Sequence, residues 1–187
     1  MILKPGKTPT DVMSYRPNSL LPIISKILEK LLLSRLSNDM PPQIWIPSHQ
    51  FGFRKEHSKI HQCHRLAVTI LKAFEDRKYC SAVFLDISQA FDKVWHPGLI
   101  QKIQKTLPLR YFTLLRSYLQ HRYLVVSYNN VNSSPVKMHS GVPQGSSLGP
   151  FLYTLYTADI PQTSTTVLST FADDTAIVAT HSNTITA

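Results

Sequence analysis

Three carboxylates stand where apolar, strand-like segments end. Asp173 and Asp174 are adjacent between two apolar runs, and Asp86 closes a separate run. Adjacent carboxylates repel each other unless a cation neutralises them, so these acids suit a hard divalent ion with oxygen ligands, such as Mg²⁺. Two such ions about 4 Å apart could activate a 3′-hydroxyl and stabilise a pyrophosphate leaving group. Taken alone, an Asp-Asp pair more often makes a polar hairpin turn, so other motifs must decide.

The segments around these acids alternate between helical and strand-like patterns. Apolar residues at three- and four-residue spacing predict amphipathic helices over residues 19–37 and 57–77. Residues 80–85 form a β-rich apolar run that is typical of a buried strand. The remaining predicted elements are helices over 99–107, 111–119 and 151–158, a strand over 123–128 with a hairpin return, and a hairpin over 167–180. The predicted fold class is therefore α+β.

The charge of the chain is strongly basic and unevenly distributed. Its 187 residues include 20 Lys and Arg against 11 Asp and Glu, a formal net charge of +9. Residues 1–78 hold 13 of the 20 basic side chains, whereas residues 138–187 hold none. This distribution makes nucleic acid the first partner to consider, although a basic solvated surface is the alternative interpretation.

Two cysteines, Cys63 and Cys80, are too few for a disulfide framework, and neither lies in a CxxC pair. This cysteine usage favours a reducing, intracellular setting. The chain shows no apolar core of a signal peptide and no apolar run long enough to span a membrane. We therefore expect a soluble, intracellular protein that is not secreted and has no membrane partner.

Five motifs together resemble those of reverse transcriptases. Three segments resemble the three palm motifs of that family: residues 84–96 (FLDISQAFDKVWH), 141–146 (GVPQGS) and 171–174 (FADD). Residues 15–22 and 49–54 are similar to the fingers motifs of jockey-type non-LTR retrotransposons. The chain departs from the usual pattern at Asn18, where an apolar residue is usual, and at Lys59, where Thr usually follows His57-Ser58. The chain thus resembles the reverse transcriptase domain of a non-LTR, LINE-type, jockey-like retrotransposon.

The resemblance implies a fold and a domain division. The fold would be that of a right-hand polymerase, with fingers over residues 1–78 and an incomplete palm over residues 79–187. The palm would be an antiparallel sheet backed by helices, ending just after the Asp173-Asp174 hairpin, with the thumb absent.

The resemblance also implies roles for particular residues. Asp86, Asp173 and Asp174 match the catalytic positions that hold two Mg²⁺ ions, with Mn²⁺ as a possible substitute. The positions that match nucleotide-binding residues are Lys4, Arg16, Ile87, Phe91 and Gln144, and those that match template- or primer-binding residues are Arg54, Arg65 and Gly145. Phe91 matches the family's sugar-sensing aromatic, where a bulky ring leaves no room for a 2′-hydroxyl. Without the resemblance, Phe91 would be read as a core residue.

The implied function is an RNA-directed DNA polymerase, a nucleotidyltransferase that uses an RNA template, a DNA primer or target, and deoxynucleoside triphosphates. For the intact element, the resemblance implies a nuclear location. One alternative is an inactive, truncated remnant that at most binds RNA. Another is a metal-dependent phosphohydrolase, which would leave the Pro143-Gln144-Gly145 motif and the basic first half unexplained.

Several other polar residues invite functional interpretations that the pattern supports less well. A zinc site built on His57, His61, His64 and Cys63 lacks a second ligand pair at zinc-finger spacing. For Asp92, a structural cap or salt bridge is preferred to a role as a fourth metal ligand. The two tryptophans are interpreted as packing residues.

Overall fold

A computed structural model of the chain describes residues 2–182. The chain divides into two compact units. The first unit comprises Met1–Pro41 and Phe91–Tyr156, and the second comprises Pro42–Ala90 and Thr157–Ala187. Helices and antiparallel sheets occur together, which confirms the predicted α+β class.

The second unit is built on a three-stranded antiparallel sheet. Its strands are β3 (Tyr79–Leu85), β8 (Thr166–Phe171) and β9 (Asp174–His181), with β9 in the centre. The hairpin predicted over residues 167–180 is thereby confirmed. Helix α2 (Lys59–Glu75) packs on this sheet. It begins at Ser58, whose hydroxyl accepts a hydrogen bond from the backbone N–H of His61 and so satisfies one free donor of the first turn.

Strand β3 is present as predicted, but the expectation that it is buried is wrong. Val83 is 55% exposed and Phe84 is 71% exposed. Successive side chains of a strand point to opposite faces, so the exposure of both Val83 and Phe84 means that neither face of β3 is well covered. An apolar run of six residues therefore indicated the backbone conformation and not the degree of burial.

The first unit combines four α-helices with short two-stranded ribbons and a 3₁₀-helix at Val12–Ser14. In chain order its α-helices and strands are β1 (Ile2–Leu3), β2 (Tyr15–Arg16), α1 (Ile23–Asp39), α3 (His96–Thr106), α4 (Leu109–Leu119), β4 (Tyr123–Leu124), β5 (Ser127–Tyr128), β6 (Val131–Asn132), β7 (Val136–Lys137) and α5 (Leu148–Tyr156). The single strand predicted over residues 123–128 is thus two short strands. Asn129 and Asn130 join β5 to β6 with φ values of 48° and 61°, as a type I′ hairpin turn requires.

The core of the first unit lies where α3, α4 and α5 pack together. Its fully buried apolar side chains include Leu99, Ile103, Leu115, Leu119 and Leu152. Helix α1 is confirmed, but its apolar face is not the buried one. The exposed side chains include Ile24, Ile27, Leu28 and Leu31, whereas the buried residues are Glu29 and Leu36. Within residues 2–182, no helix is both long and apolar enough to cross a membrane.

Candidate active site

The register of the three-stranded sheet brings two of the predicted catalytic aspartates to one end of it. Leu85 pairs with Thr175 at the end of the β3–β9 ladder. Asp86 follows Leu85 and Asp174 precedes Thr175, so the next position of the antiparallel register sets these acids opposite each other. Both line a cavity of about 350 Å³ between the sheet and α2. Strand pairing therefore places two acids that are 88 positions apart in the sequence at the same end of the sheet.

The third aspartate lies in the turn between β8 and β9. Phe171 pairs with Asp174, which leaves Ala172 and Asp173 as the two central residues of a tight hairpin. Ala172 has a φ of 57°, a left-handed conformation that usually requires glycine at the first position of such a turn. Asp173 consequently stands at the tip of the hairpin, next to the end of the sheet that carries the other two acids.

The donor chemistry of these acids fits a divalent cation, but their arrangement is not a closed ligand set. Carboxylate oxygens are the ligands that Mg²⁺ and Mn²⁺ prefer in proteins. Asp173 does not line the cavity that Asp86 and Asp174 share. Across residues 2–182, no group of three His, Cys, Asp or Glu side chains is arranged to hold a metal ion, and this includes the histidines and cysteine considered for zinc. The catalytic and metal-binding roles of the three aspartates therefore stay predictions.

Two of the residues that line the cavity beside the aspartates carry unsatisfied polar atoms. They are Gln62 and Ser169, whose Oε1 and Oγ atoms are buried and have no hydrogen-bond partner among the described residues. Lys59, one of the departures from the family pattern, lines the same cavity and places its ammonium 5.5 Å from the centre of the Phe171 ring. Buried donors and acceptors of this kind need water or a ligand to satisfy them.

Two of the predicted nucleotide-binding residues lie on one ribbon of the first unit. Ile2 pairs with Arg16 in the β1–β2 ribbon, and the Lys4 backbone N–H donates to the Ser14 carbonyl. Since successive side chains alternate between faces, Lys4 and Arg16 lie on the same face of the ribbon. The Lys4 ammonium donates to the Met13 carbonyl at 2.9 Å, and Arg16 is exposed. Their role in binding a triphosphate remains a prediction.

Gln144 makes a contact that the sequence analysis did not foresee. Its Nε2 donates to Asp92 Oδ1 at 3.2 Å. Burial raises the pKa of the Asp92 carboxyl, and the hydrogen bond from Gln144 opposes this rise. The predicted cap or salt bridge for Asp92 is not what is observed, because its carboxylate orients the amide of Gln144. Asp92 and Gln144 are 52 positions apart in the sequence, so no local pattern could predict their hydrogen bond.

Phe91 and Gly145 flank this hydrogen bond in the first unit. The Phe91 ring stacks on the buried Tyr153 ring, with centroids 4.7 Å apart and planes 16° from parallel. Gly145 has a φ of +95°, and a Cβ there would approach Asn18 Oδ1 to 2.7 Å. The Phe91 ring is thus supported by a buried aromatic ring, while Gly145 permits close approach of the Asn18 segment.

Three further predicted residues belong to the second unit. The Arg65 guanidinium lies 5.8 Å from the Phe51 ring centre, and its NH1 is buried without a hydrogen-bond partner among the described residues. Arg54 is half-buried and Ile87 is 42% exposed. No template, primer or nucleotide contact is established for them, so these assignments stay predictions.

Comparison with solved structures identifies the fold as that of a polymerase. The chain is similar to the apo telomerase of Candida tropicalis truncated from its C-terminal domain, with a TM-score of 0.56 and 14% sequence identity over 87% of this chain and 34% of that one. It is similarly related to the Candida tropicalis telomerase in complex with the TWJ fragment of telomeric RNA, with a TM-score of 0.56 and 12% identity over 87% and 29% of the two chains. These likenesses show the fold and not the activity.

Sequence comparison then gives the family. The family model described as reverse transcriptase (RNA-dependent DNA polymerase) matches residues 2–187, so the chain belongs to this family. It is 48% identical over 186 residues to the probable RNA-directed DNA polymerase from transposon BS of Drosophila melanogaster, and 46% identical over 187 residues to the RNA-directed DNA polymerase from mobile element jockey of the same species. Each match covers 95% of this chain and 20% of the relative. The resemblance to jockey-like elements is thus confirmed, and the chain spans about a fifth of the length of these curated relatives.

Proposed function

We propose that this chain supplies the fingers and palm of an RNA-directed DNA polymerase of a non-LTR retrotransposon, with fingers over residues 1–78 and palm over residues 79–187. The reaction would transfer a nucleotide from a deoxynucleoside triphosphate to a DNA 3′ end on an RNA template. The observation that carries the proposal is the sheet register, which sets Asp86 opposite Asp174 beside the turn that holds Asp173.

Enzymes of this family generally depend on divalent metal ions. In this chain Asp86, Asp173 and Asp174 would hold two Mg²⁺ ions, or Mn²⁺ in their place. Bound ions would supply charge neutralisation for the attacking 3′-oxygen and the leaving pyrophosphate. Holding the ions is the task of the three carboxylates, so replacing one of them should affect catalysis far more than binding of the nucleic acid.

The other predicted residues would bind and orient the substrates. Lys4 and Arg16 share one face of a ribbon, where two cationic groups suit the oxygens of a triphosphate. Gln144, held by Asp92, would contact the nucleotide together with Ile87, and the supported Phe91 ring would exclude a ribose. Template and primer would contact Arg54, Arg65 and Gly145.

The charge of the chain supports a polyanionic partner for this site. A net charge of +9, concentrated in residues 1–78, attracts RNA and DNA backbones. The proposed partners are accordingly an RNA template and a DNA primer or target, and the intact element would act in the nucleus, where its DNA target lies.

The test is an extension assay in a longer polymerase. This chain would replace the matching segment of the jockey polymerase, and the hybrid would be tested with an RNA template, a DNA primer and Mg²⁺. Asp86→Asn and Asp173→Asn keep the side-chain shape but remove a negative charge. Each should lower extension roughly a thousandfold or more, since metal-assisted charge stabilisation is worth several kcal/mol. Binding of the RNA·DNA duplex should be nearly unchanged.

Asp76→Asn is the matched control, because Asp76 is exposed and, within residues 2–182, its carboxylate makes only a surface ion pair with Lys78. It should leave extension unchanged. Full extension by the Asp86 or Asp173 variant would refute the catalytic assignment. A hybrid that binds RNA but extends no primer would instead favour the inactive remnant.

A further inference from the structure

The segment containing His49, Gln50 and Phe51 lies against the end of strand β8. The Phe51 backbone N–H donates to the Thr170 carbonyl at 3.0 Å, and the Thr170 N–H donates to the His49 carbonyl at 2.9 Å, which forms a parallel bridge. The buried Gln62 side chain of α2 donates to both of these carbonyls, at 3.0 Å and 3.1 Å. The segment is therefore fixed to the strand that leads into the aspartate turn.

The Gln50 side chain reaches the turn itself. Gln50 is 2% exposed, its Oε1 accepts from the Ala172 N–H at 2.9 Å, and its Nε2 donates to the Ala172 carbonyl at 3.1 Å. The same Oε1 accepts from the Gly52 N–H at 2.7 Å, which orients the amide. Both backbone groups of Ala172 are thus paired with one side chain 122 positions away.

Ala172 is the residue of the hairpin that most needs such support. Its φ of 57° is a left-handed conformation that costs an L-residue with a Cβ about 1–2 kcal/mol. Strain of this kind persists only where surrounding contacts impose it. Gly52 allows the contact, because a Cβ at that position would lie 2.2 Å from the Ala172 nitrogen. The pairing therefore depends on the side chain at position 50 and on the missing side chain at position 52.

We propose that Gln50 is a positioning residue that holds the Ala172 backbone in its left-handed conformation and so sets Asp173 and Asp174 in place for metal binding. Its amide would act through the backbone of the turn, with which it makes both hydrogen bonds, and not by direct contact with metal or substrate. The consequence for metal binding rests on the proposed function, whereas the effect on the turn can be measured without it. The His49–Arg54 motif would accordingly support the aspartates as well as belonging to the fingers sequence.

Gln62 provides the matched control for this inference. It is also a buried glutamine, and its amide also donates to two backbone carbonyls, those of His49 and of Thr170 in strand β8, but it makes no hydrogen bond to the Ala172-Asp173 turn. Gln50→Leu and Gln62→Leu therefore remove comparable polar groups from the same part of the unit. A general loss of packing or stability should affect both variants alike.

The experiment uses the 187-residue chain and two readouts that need no catalysis. Backbone amide exchange reports the protection of the Ala172 N–H, and water-proton relaxation reports Mn²⁺ binding. Gln50→Leu should lower the protection of this amide and weaken Mn²⁺ binding, each by about tenfold or more, since both hydrogen bonds to Ala172 are lost. Gln62→Leu should leave the protection of the Ala172 amide close to that of the unaltered chain once global stability is matched with urea.

A double variant separates positioning from simple packing. Glycine adopts positive φ without strain, so Ala172→Gly in the Gln50→Leu background should recover most of the Mn²⁺ affinity while the amide at position 172 stays unprotected. Absence of recovery, or equal losses of Ala172 amide protection in Gln50→Leu and Gln62→Leu, would overturn the inference. If Gln50→Leu does not fold, Gln50→Asn, whose amide is one methylene too short to make both bonds, takes its place.

The two proposals fail in different ways. If the unaltered chain binds no Mn²⁺, the proposed metal centre is wrong, and the amide protection of Ala172 decides the positioning inference. If Mn²⁺ binds but the protection of Ala172 does not depend on Gln50, the positioning inference is wrong and the proposed function stands.

Discussion

Replacing Tyr118 with phenylalanine should destabilise the first unit by removing a hydrogen bond from a buried carboxylate. Glu29, on helix α1, is 1% exposed. Its Oε1 accepts from the Tyr118 hydroxyl at 2.8 Å, and its Oε2 accepts from the Ser147 N–H at 2.7 Å, just before helix α5 begins. A carboxylate at a helix N-terminus is favourable, and a buried one must keep its partners. Burial and this hydrogen bond also raise the pKa of Tyr118 to about 12.

The expected size of the effect follows from the charge of the acceptor. A hydrogen bond to a charged group is worth about 1.5–3 kcal/mol, and Tyr118→Phe leaves the buried carboxylate with one donor fewer. We expect a loss of about 2 kcal/mol in the free energy of unfolding, which for a chain of this size lowers Tm by about 4–8 °C. Urea denaturation followed by circular dichroism measures the first quantity, and a thermal scan measures the second.

Tyr128→Phe is the control for the chemical change. The Tyr128 hydroxyl lies in an exposed contact, 3.4 Å from the Tyr15 hydroxyl, so its removal should change stability by less than about 0.5 kcal/mol. Equal, small effects of the two substitutions would refute the reasoning. They would mean that the Glu29 carboxylate does not depend on Tyr118 for its burial.

Three other perturbations test separate parts of the proposals. Phe91→Val in the hybrid polymerase should raise kcat/KM for ribonucleotides relative to that for deoxyribonucleotides by about tenfold or more, because the ring supported by Tyr153 is the steric wall. A parallel fall in ribonucleotide and deoxyribonucleotide incorporation would instead make Phe91 a core residue. Burial and, to a lesser extent, the charge of Arg65 lower the pKa of His49 below 6.5. As pH falls, the His49 imidazole is therefore protonated at a higher pH in the unfolded chain than in the folded one. Stability should consequently fall as pH drops below about 6.5. His49→Gln should flatten that dependence in urea titrations across pH, and parallel curves would contradict it. Binding to an RNA·DNA duplex should weaken steeply with salt, and Arg54→Ala should weaken it about equally for all sequences; a flat salt titration would count against phosphate contacts.

The sequence alone was sufficient to predict the local structure of much of the chain and to recognise its family. Helices α2, α3 and α4 follow from apolar spacing and from prolines such as Pro108, and the β8–β9 hairpin follows from two β-forming runs around a polar turn. These features depend on neighbours within a few residues, which the sequence displays directly. The order of the motifs around Asp86, Gln144 and Asp173 was sufficient for the resemblance to reverse transcriptases, which the family match confirms.

Burial and long-range pairing were decided by the tertiary structure. The apolar spacing of α1 predicted a helix correctly, but Glu29 is buried while Leu28 and Leu31 are exposed, because the carboxylate has donors from α4 and from the loop before α5. Strand β3 is exposed whereas β8, the other edge strand of the same sheet, is largely buried, so edge position alone does not set burial. Periodicity reports which side chains share a face, and it does not report which face another element covers.

The same limit applies to the candidate site. The sequence indicated that the carboxylates of Asp86 and Asp174 could be metal ligands, but only the strand register sets these residues opposite each other. Gln50 was noticed as part of a motif, yet its pairing with Ala172 depends on a backbone bridge and on the space left by Gly52. A hydrogen bond between a side chain and a backbone 122 positions away has no local pattern, because it forms only after the sheet and its neighbouring segment have packed.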